Sequence, residues 1–175
     1  NISTNIVKCK SYNVLPLDEK IFSNNIKLIR NVERCSKYEL SKFSLYTKQM
    51  YKVIHRSKNY KLIKMGNHNV EMRFKSVLET DDISIYHYNI RGLKHFKNKM
   101  INGGESVEKN LKLGKEIVYH WRYFYEGFRN GTIDLDEEYK KVIGLEYIDE
   151  FEKLGVYEES TVVRNFFSNE QIKSR

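Results

Sequence analysis

Asp82-Ile83-Ser84-Ile85-Tyr86-His87-Tyr88-Asn89-Ile90-Arg91 is the stretch whose reading decides the fold. Its first seven residues alternate with period two, which predicts a strand. Directly after it Leu93, Phe96, Lys97 and Met100 recur at helical spacing, and Gly103-Gly104 predicts the end of that helix. A strand therefore hands over to a helix around Asn89. On the helix, Arg91, His95 and Lys99 fall at i, i+4 and i+8, so a basic stripe runs back to the N-terminus, where the helix dipole favours negative charge. With His87 at the end of the strand, the turn carries an imidazole and two fixed cations. That is a layout for an anion or a metal-bound phosphate.

Outward from this turn the character is mixed. Residues 5–14 read as a strand, stopped by Pro16, the chain's single proline. Residues 17–43 give no single period, with short amphipathic pieces around Ile21-Phe22 and at Ile26–Ile29. Lys52–Arg56 and Tyr60–Met65 read as two strands joined by the polar turn Ser57-Lys58-Asn59. The turn Gly66-Asn67-His68-Asn69 leads into the alternating piece Val70–Phe74. After Gly103 the pattern is helical: residues 105–129 carry Val107, Leu111, Gly114, Ile117, Val118, Trp121, Phe124, Tyr125 and Phe128 near a 3.6 period. Two shorter helices are expected at 135–143 and 146–154, with a frayed end after Ser168. The expected organisation is α/β, with a mixed sheet in residues 1–104 and a helical C-terminal lobe in 105–175.

The segment 87–103 fits the pattern H-Y-x-x-R-x-x-x-x-F-x-x-K-x-x-x-G, and Gly66-Asn67-His68 stands about twenty residues before it. In this the chain resembles the C-terminal half of family 2-like glycosyltransferases with the GT-A fold. The likeness covers roughly residues 45–105. It departs from the family at Gly92, where a serine is common, and at Lys94-His95, where an acidic-amide pair is usual. The resemblance implies a partial GT-A-like mixed sheet and transfer of a sugar from a nucleotide-diphosphate sugar to a hydroxyl acceptor, such as a glycan. It implies His87, Arg91 and Lys99 as catalytic residues, with His87 toward the metal or diphosphate and the two cations on the developing phosphate charge. Gly66, Asn67 and His68 would shape the substrate side of the cleft. A divalent metal, Mn or Mg, is expected for the complete enzyme, held by a D-x-D pair at the end of an upstream strand.

No such pair is evident here. Asp81-Asp82 precedes the expected strand, and Asp134-Leu135-Asp136 reads as the N-cap and first turn of a helix. The donor-binding half is thus expected upstream, the chain being a piece that alone does not transfer sugar. The general base is unassigned, with Glu71 the local candidate. His95 and His120 read as structural. Tyr119, Trp121, Tyr123, Phe124 and Tyr125 read as core, with a sugar-stacking platform as the alternative.

Charge is divided unevenly. Residues 1–102 hold 20 Lys and Arg against 8 Asp and Glu, whereas residues 103–175 hold 11 against 15, giving the net +8. The basic half suits a diphosphate, an anionic polymer or a membrane surface, so a non-catalytic basic domain is the alternative reading. Nucleic acid is the less favoured partner, because no helix-turn-helix, zinc-finger or RNP-type pattern occurs. Cys9 and Cys35 stand in no metal-like spacing, and no apolar run is long enough to span a bilayer. The expectation is a soluble cytoplasmic domain, with peripheral contact to the cytoplasmic membrane face as an option.

Overall fold

The computed structural model describes residues 4–16, 26–110, 112, 114 and 117–160. The readings at Ile21-Phe22 and after Ser168 lie outside the described residues. The fold is mixed α/β, in two compact units: Asn1–Asn13 with Lys48–His87, and Val14–Thr47 with Tyr88–Arg175. Strand β1 (Ile6–Leu15) supplies residues to both.

In the first unit β1 pairs on one side with β3 (Lys52–His55), antiparallel from Ile6–His55 to Cys9–Lys52. On the other it pairs with β6 (Val77–His87), parallel, from Ile6–Val77 to Asn13–His87. The parallel register shifts between Cys9 and Lys10, so Asp81, Asp82 and Ile83 form a bulge on β6. The strand therefore begins earlier than the alternation from Asp82 suggests, and Asp81-Asp82 lies inside it. Lys10 holds the Asp81 carboxylate at 2.8 Å. The expected hairpin of 52–56 with 60–65 does not form. Strand β4 (Tyr60–Ile63) pairs instead with β5 (Val70–Met72), while β3 pairs with β1. Ile6, Val53 and Val70 form the small core of this unit, with Met72 against it.

In the second unit the end of β1 pairs with β2 (Lys27–Ile29), which pairs in turn with β7 (Tyr157–Glu159). Helices α1 (Leu93–Lys109), α2 (Tyr119–Arg129), α3 (Leu135–Ile143) and α4 (Ile148–Lys153) build the rest. Helix α1 does not stop at Gly103-Gly104, so the expected boundary between residues 104 and 105 falls inside it. Its buried positions are Phe96, Met100, Gly104 and Val107, one stripe along the helix. The glycines are there for contact, since a Cβ on Gly104 would lie 2.1 Å from the Tyr125 Cβ and 3.0 Å from the Trp121 carbonyl oxygen. The helix expected over 105–129 is accordingly two helices, α1's last turn and α2.

Helix α3 matches its expected span. Asp134 caps it as the sequence suggests, its side chain accepting from the Asp136 and Glu137 amides. At the other end the carbonyls that the helix cannot satisfy are taken by the loop before β3. Ser41 N–H donates to Lys141 O, Leu45 N–H to Val142 O, and the Tyr46 hydroxyl to Ile143 O at 2.8 Å. The core gathers Phe96, Phe124, Phe151, Leu135, Val142 and Ile143 with Leu15, Ile29, Leu45 and Tyr46. Each such large side chain, fully buried, stabilises by about 1.5–3 kcal/mol. Among the described residues no helix is long and apolar enough to cross a membrane.

Candidate anion-binding site

The two units divide the residues singled out in the sequence. Gly66, Asn67, His68, Glu71 and His87 belong to the first unit, Arg91 and Lys99 to the second.

In the first unit the Gly66-Asn67-His68 turn is pinned to β3. Gly66 has φ +74°, and a Cβ there would meet the His68 ring at 2.7 Å. The Asn67 amide donates to Val53 O at 2.9 Å. His68 Nδ1 lies 3.0 Å from Tyr51 O, so this nitrogen carries the proton and donates. The other ring nitrogen is left to accept, and Lys52 Nζ lies 3.4 Å from it while donating to Gly66 O at 2.6 Å. Burial pushes the Lys52 pKa down. Lys52 is a partner of His68 that the motif alone did not reveal. Glycine at 66 is thus called for by its backbone conformation, and the turn has a clear structural job. Glu71 is exposed on β5, 3.9 Å from Lys64.

His87 ends β6, half-buried, with Nδ1 3.1 Å from Oδ1 of the buried Asn13. Its Nδ1 is therefore engaged by Asn13 and not available to a metal. Mn or Mg needs several oxygen ligands, and no group of three or more His, Cys, Asp or Glu side chains gathers among the described residues. The residues described here do not fit a metal by themselves, and no chemical step is assigned to one.

The second unit places Arg91 and Lys99 in one cleft. Its volume is about 670 Å³, and it is lined by Arg91, Lys94, His95, Asn98, Lys99, Asn102, Gly103 and Trp121. The wall contains three cations and no carboxylate. Gly92, buried at φ +98°, starts α1 without a side-chain cap. His95 supplies a substitute, its Nδ1 accepting from the Arg91 amide at 3.2 Å. Lys99 reaches back along the helix and donates to the Asn89 carbonyl at 2.7 Å and to its side-chain oxygen at 2.5 Å. The lysine of the pattern therefore fastens the turn as well as charging the cleft.

The cleft also shows its charge in its proton affinities. Burial, then Arg91 and Lys99, pushes the His95 pKa down. Burial and Arg91 do the same to Lys99, and burial with Lys99 to His120. Burial is the larger cause in each case, and the neighbouring cations add to it, so one more positive charge is unwelcome at each place. Lys94, Asn98 and Asn102 follow the same i, i+4, i+8 spacing as the basic stripe, a signal present in the sequence and unused. Trp121, expected in the core, forms a half-buried wall because α2 crosses α1 at the two glycines.

Compared with family models, with curated proteins and with solved structures, the chain matches none. What the cleft can do rests on its own chemistry. It can hold an anion of several oxygens against Arg91, whose planar fork grips two at once, with Lys94 and Lys99 as point charges.

Proposed function

We propose that the chain is the C-terminal part of a GT-A-like glycosyltransferase, acting on a nucleotide-diphosphate sugar with its donor-binding half upstream. The observation that carries this reading is the carboxylate-free cationic cleft, which lies on the helix bearing the pattern resembling that family. In such a reaction an acceptor hydroxyl attacks the anomeric carbon and gives its proton to a carboxylate base that the complete enzyme would supply. The bond from that carbon to the diphosphate oxygen breaks, and the leaving group takes the electron pair. Negative charge grows on the diphosphate as the bond lengthens, and the exposed Arg91 and the partly buried Lys99 oppose it. His95 keeps the Arg91 backbone in place, and Lys99 holds Asn89.

The test is turnover of the full-length enzyme at saturating donor. Arg91→Lys keeps the charge and loses the fork, so kcat should fall far more than donor affinity, by about 2–4 kcal/mol of transition-state stabilisation. Melting should stay near that of the unaltered enzyme, because Arg91 is exposed. Unchanged turnover in Arg91→Lys, Lys99→Ala and His87→Ala would sink the assignment. A second reading, a non-catalytic basic domain on an anionic polymer or surface, is favoured by the exposure of β4. All four of its residues are exposed, and Phe74 beyond β5 is 65% accessible beneath Arg73. It would be chosen if the full-length protein bound such a polymer and no sugar nucleotide.

A further inference from the structure

Helix α1 presents two rows to the cleft. His95 and Lys99 form the first, which Arg91 extends from the turn ahead of the Gly92 cap, and Lys94, Asn98 and Asn102 the second, on a neighbouring ridge. The rows differ in chemistry. The first is cationic throughout, apart from the neutral-leaning His95; the second is one lysine followed by two carboxamides. Eight residues of helix carry the second row over about 12 Å, longer than one phosphate. Asn98 and Asn102 are exposed, and each carboxamide offers both donors and acceptors, as recognition of sugar hydroxyls requires. Trp121 faces the same space. Its indole N–H is buried without an acceptor among the described residues, a cost that a phenylalanine in the same wall would avoid. Val118, a β-branched residue at φ +50°, opens the helix that carries it.

We propose that Lys94, Asn98, Asn102 and Trp121 form the acceptor subsite, and that the acceptor is an anionic saccharide, a sugar bearing a phosphate or carboxylate. Its ring stacks on Trp121, its hydroxyls meet the two carboxamides, and its charge sits on Lys94. This deepens the glycosyl-transfer reading and rests on it, since it leaves the first row to the leaving diphosphate.

Trp121 is the chain's single tryptophan, so its emission reports on this cleft alone. The 175-residue chain is titrated at low salt with glucose, glucuronate, glucose 6-phosphate and inorganic pyrophosphate. The two anionic sugars should shift the emission saturably and bind at least tenfold more tightly than glucose. Asn98→Ala and Asn102→Ala, checked for unchanged helicity, should weaken the anionic sugars at least fivefold and leave pyrophosphate nearly unaffected; Arg91→Gln should do the reverse. Equal weakening of sugar and pyrophosphate by every substitution would overturn the proposal in favour of one undivided anion site. A silent tryptophan, or glucose binding as tightly as its charged forms, would also overturn it. The readout does not depend on turnover. If Arg91→Lys leaves the full-length enzyme unimpaired while the split persists, the diphosphate role fails and the anionic-sugar site stands. If the split is absent while Arg91→Lys is crippled, the reverse holds.

Discussion

Replacing Gly104 by alanine tests how α1 and α2 meet. In a helix interior with room for a methyl group, the change gains about 0.5–1 kcal/mol, because alanine loses less backbone freedom on folding. Here the methyl would lie 2.1 Å from the Tyr125 Cβ and 3.0 Å from the Trp121 carbonyl oxygen. Both belong to or adjoin the α2 backbone, so no flexible side-chain end can swing aside, and the helices must part. Overpacking of this kind costs about 1–3 kcal/mol, and the rigidity of the neighbours puts it in the upper half. The expected net loss is about 1–2 kcal/mol, or a fall in Tm of about 3–8 °C for a chain of this length. Thermal melts followed by far-UV circular dichroism would measure it. Gly103→Ala is the companion, since its methyl would press on the Trp121 ring at 2.8 Å and should shift the tryptophan emission as well. A rise in Tm for Gly104→Ala would refute the close crossing and return these glycines to the role of a helix end.

Gly66→Ala should cost about 1 kcal/mol or more, because φ +74° is strained for alanine and the methyl strikes His68 at 2.7 Å; the His68 ring resonances should move in the same variant by NMR. Asp134→Ala should cost about 1 kcal/mol in a urea melt by stripping the α3 cap from two amides, and a loss indistinguishable from zero would mean the cap is idle. The pH dependence has a definite sign for His95 and His120, whose folded pKa values lie below the ordinary 6.5. The unfolded chain then binds more protons, so their contribution to stability is complete above pH 6.5 and declines as pH falls toward the folded values; His95→Gln should flatten part of that acid limb. At the alkaline end burial pushes Tyr157 up to about 12. Its contribution should be intact below pH 10 and fade between 10 and 12, a limb that Tyr157→Phe should reduce but not abolish, since Tyr38 and Tyr46 are raised as well.

Where the sequence was read correctly, local chemistry decided the outcome. Asp134 followed by three acidic residues can hardly be anything but a helix start, and α3 begins there. The strand-to-helix handover at Asn89 was legible because periodicity changes on either side of it. The misreadings share one cause. Gly103-Gly104 is locally a helix stop, and only the arrival of α2 makes it a contact surface. Lys52–His55 and Tyr60–Ile63 form a plausible hairpin by local pattern, yet the first pairs with β1 and the second with β5, partners that lie farther off in the chain. The basic stripe of the cleft could be read from helical spacing, and so could the Lys94 row. That Trp121 walls the same space could not, because its position depends on a helix crossing. His87 and Arg91 are four residues apart in sequence, yet they fall in different compact units.

The clasp between the loop at 41–46 and the end of α3 also sets an order of events during synthesis. Tyr46 and its acceptor Ile143 are 97 residues apart, and the Leu45 and Ser41 contacts span similar distances. At about 5–20 residues per second, the ribosome needs on the order of 5–20 s to make that gap. Through this interval Leu45 and Tyr46, later among the most deeply buried residues, are apolar groups on an open strand of nascent chain. Loop closure over so long a contour is slow even after release. Later-made elements complete the core around earlier ones, so a nascent chain halted before residue 143 would present this loop as a binding site for chaperones.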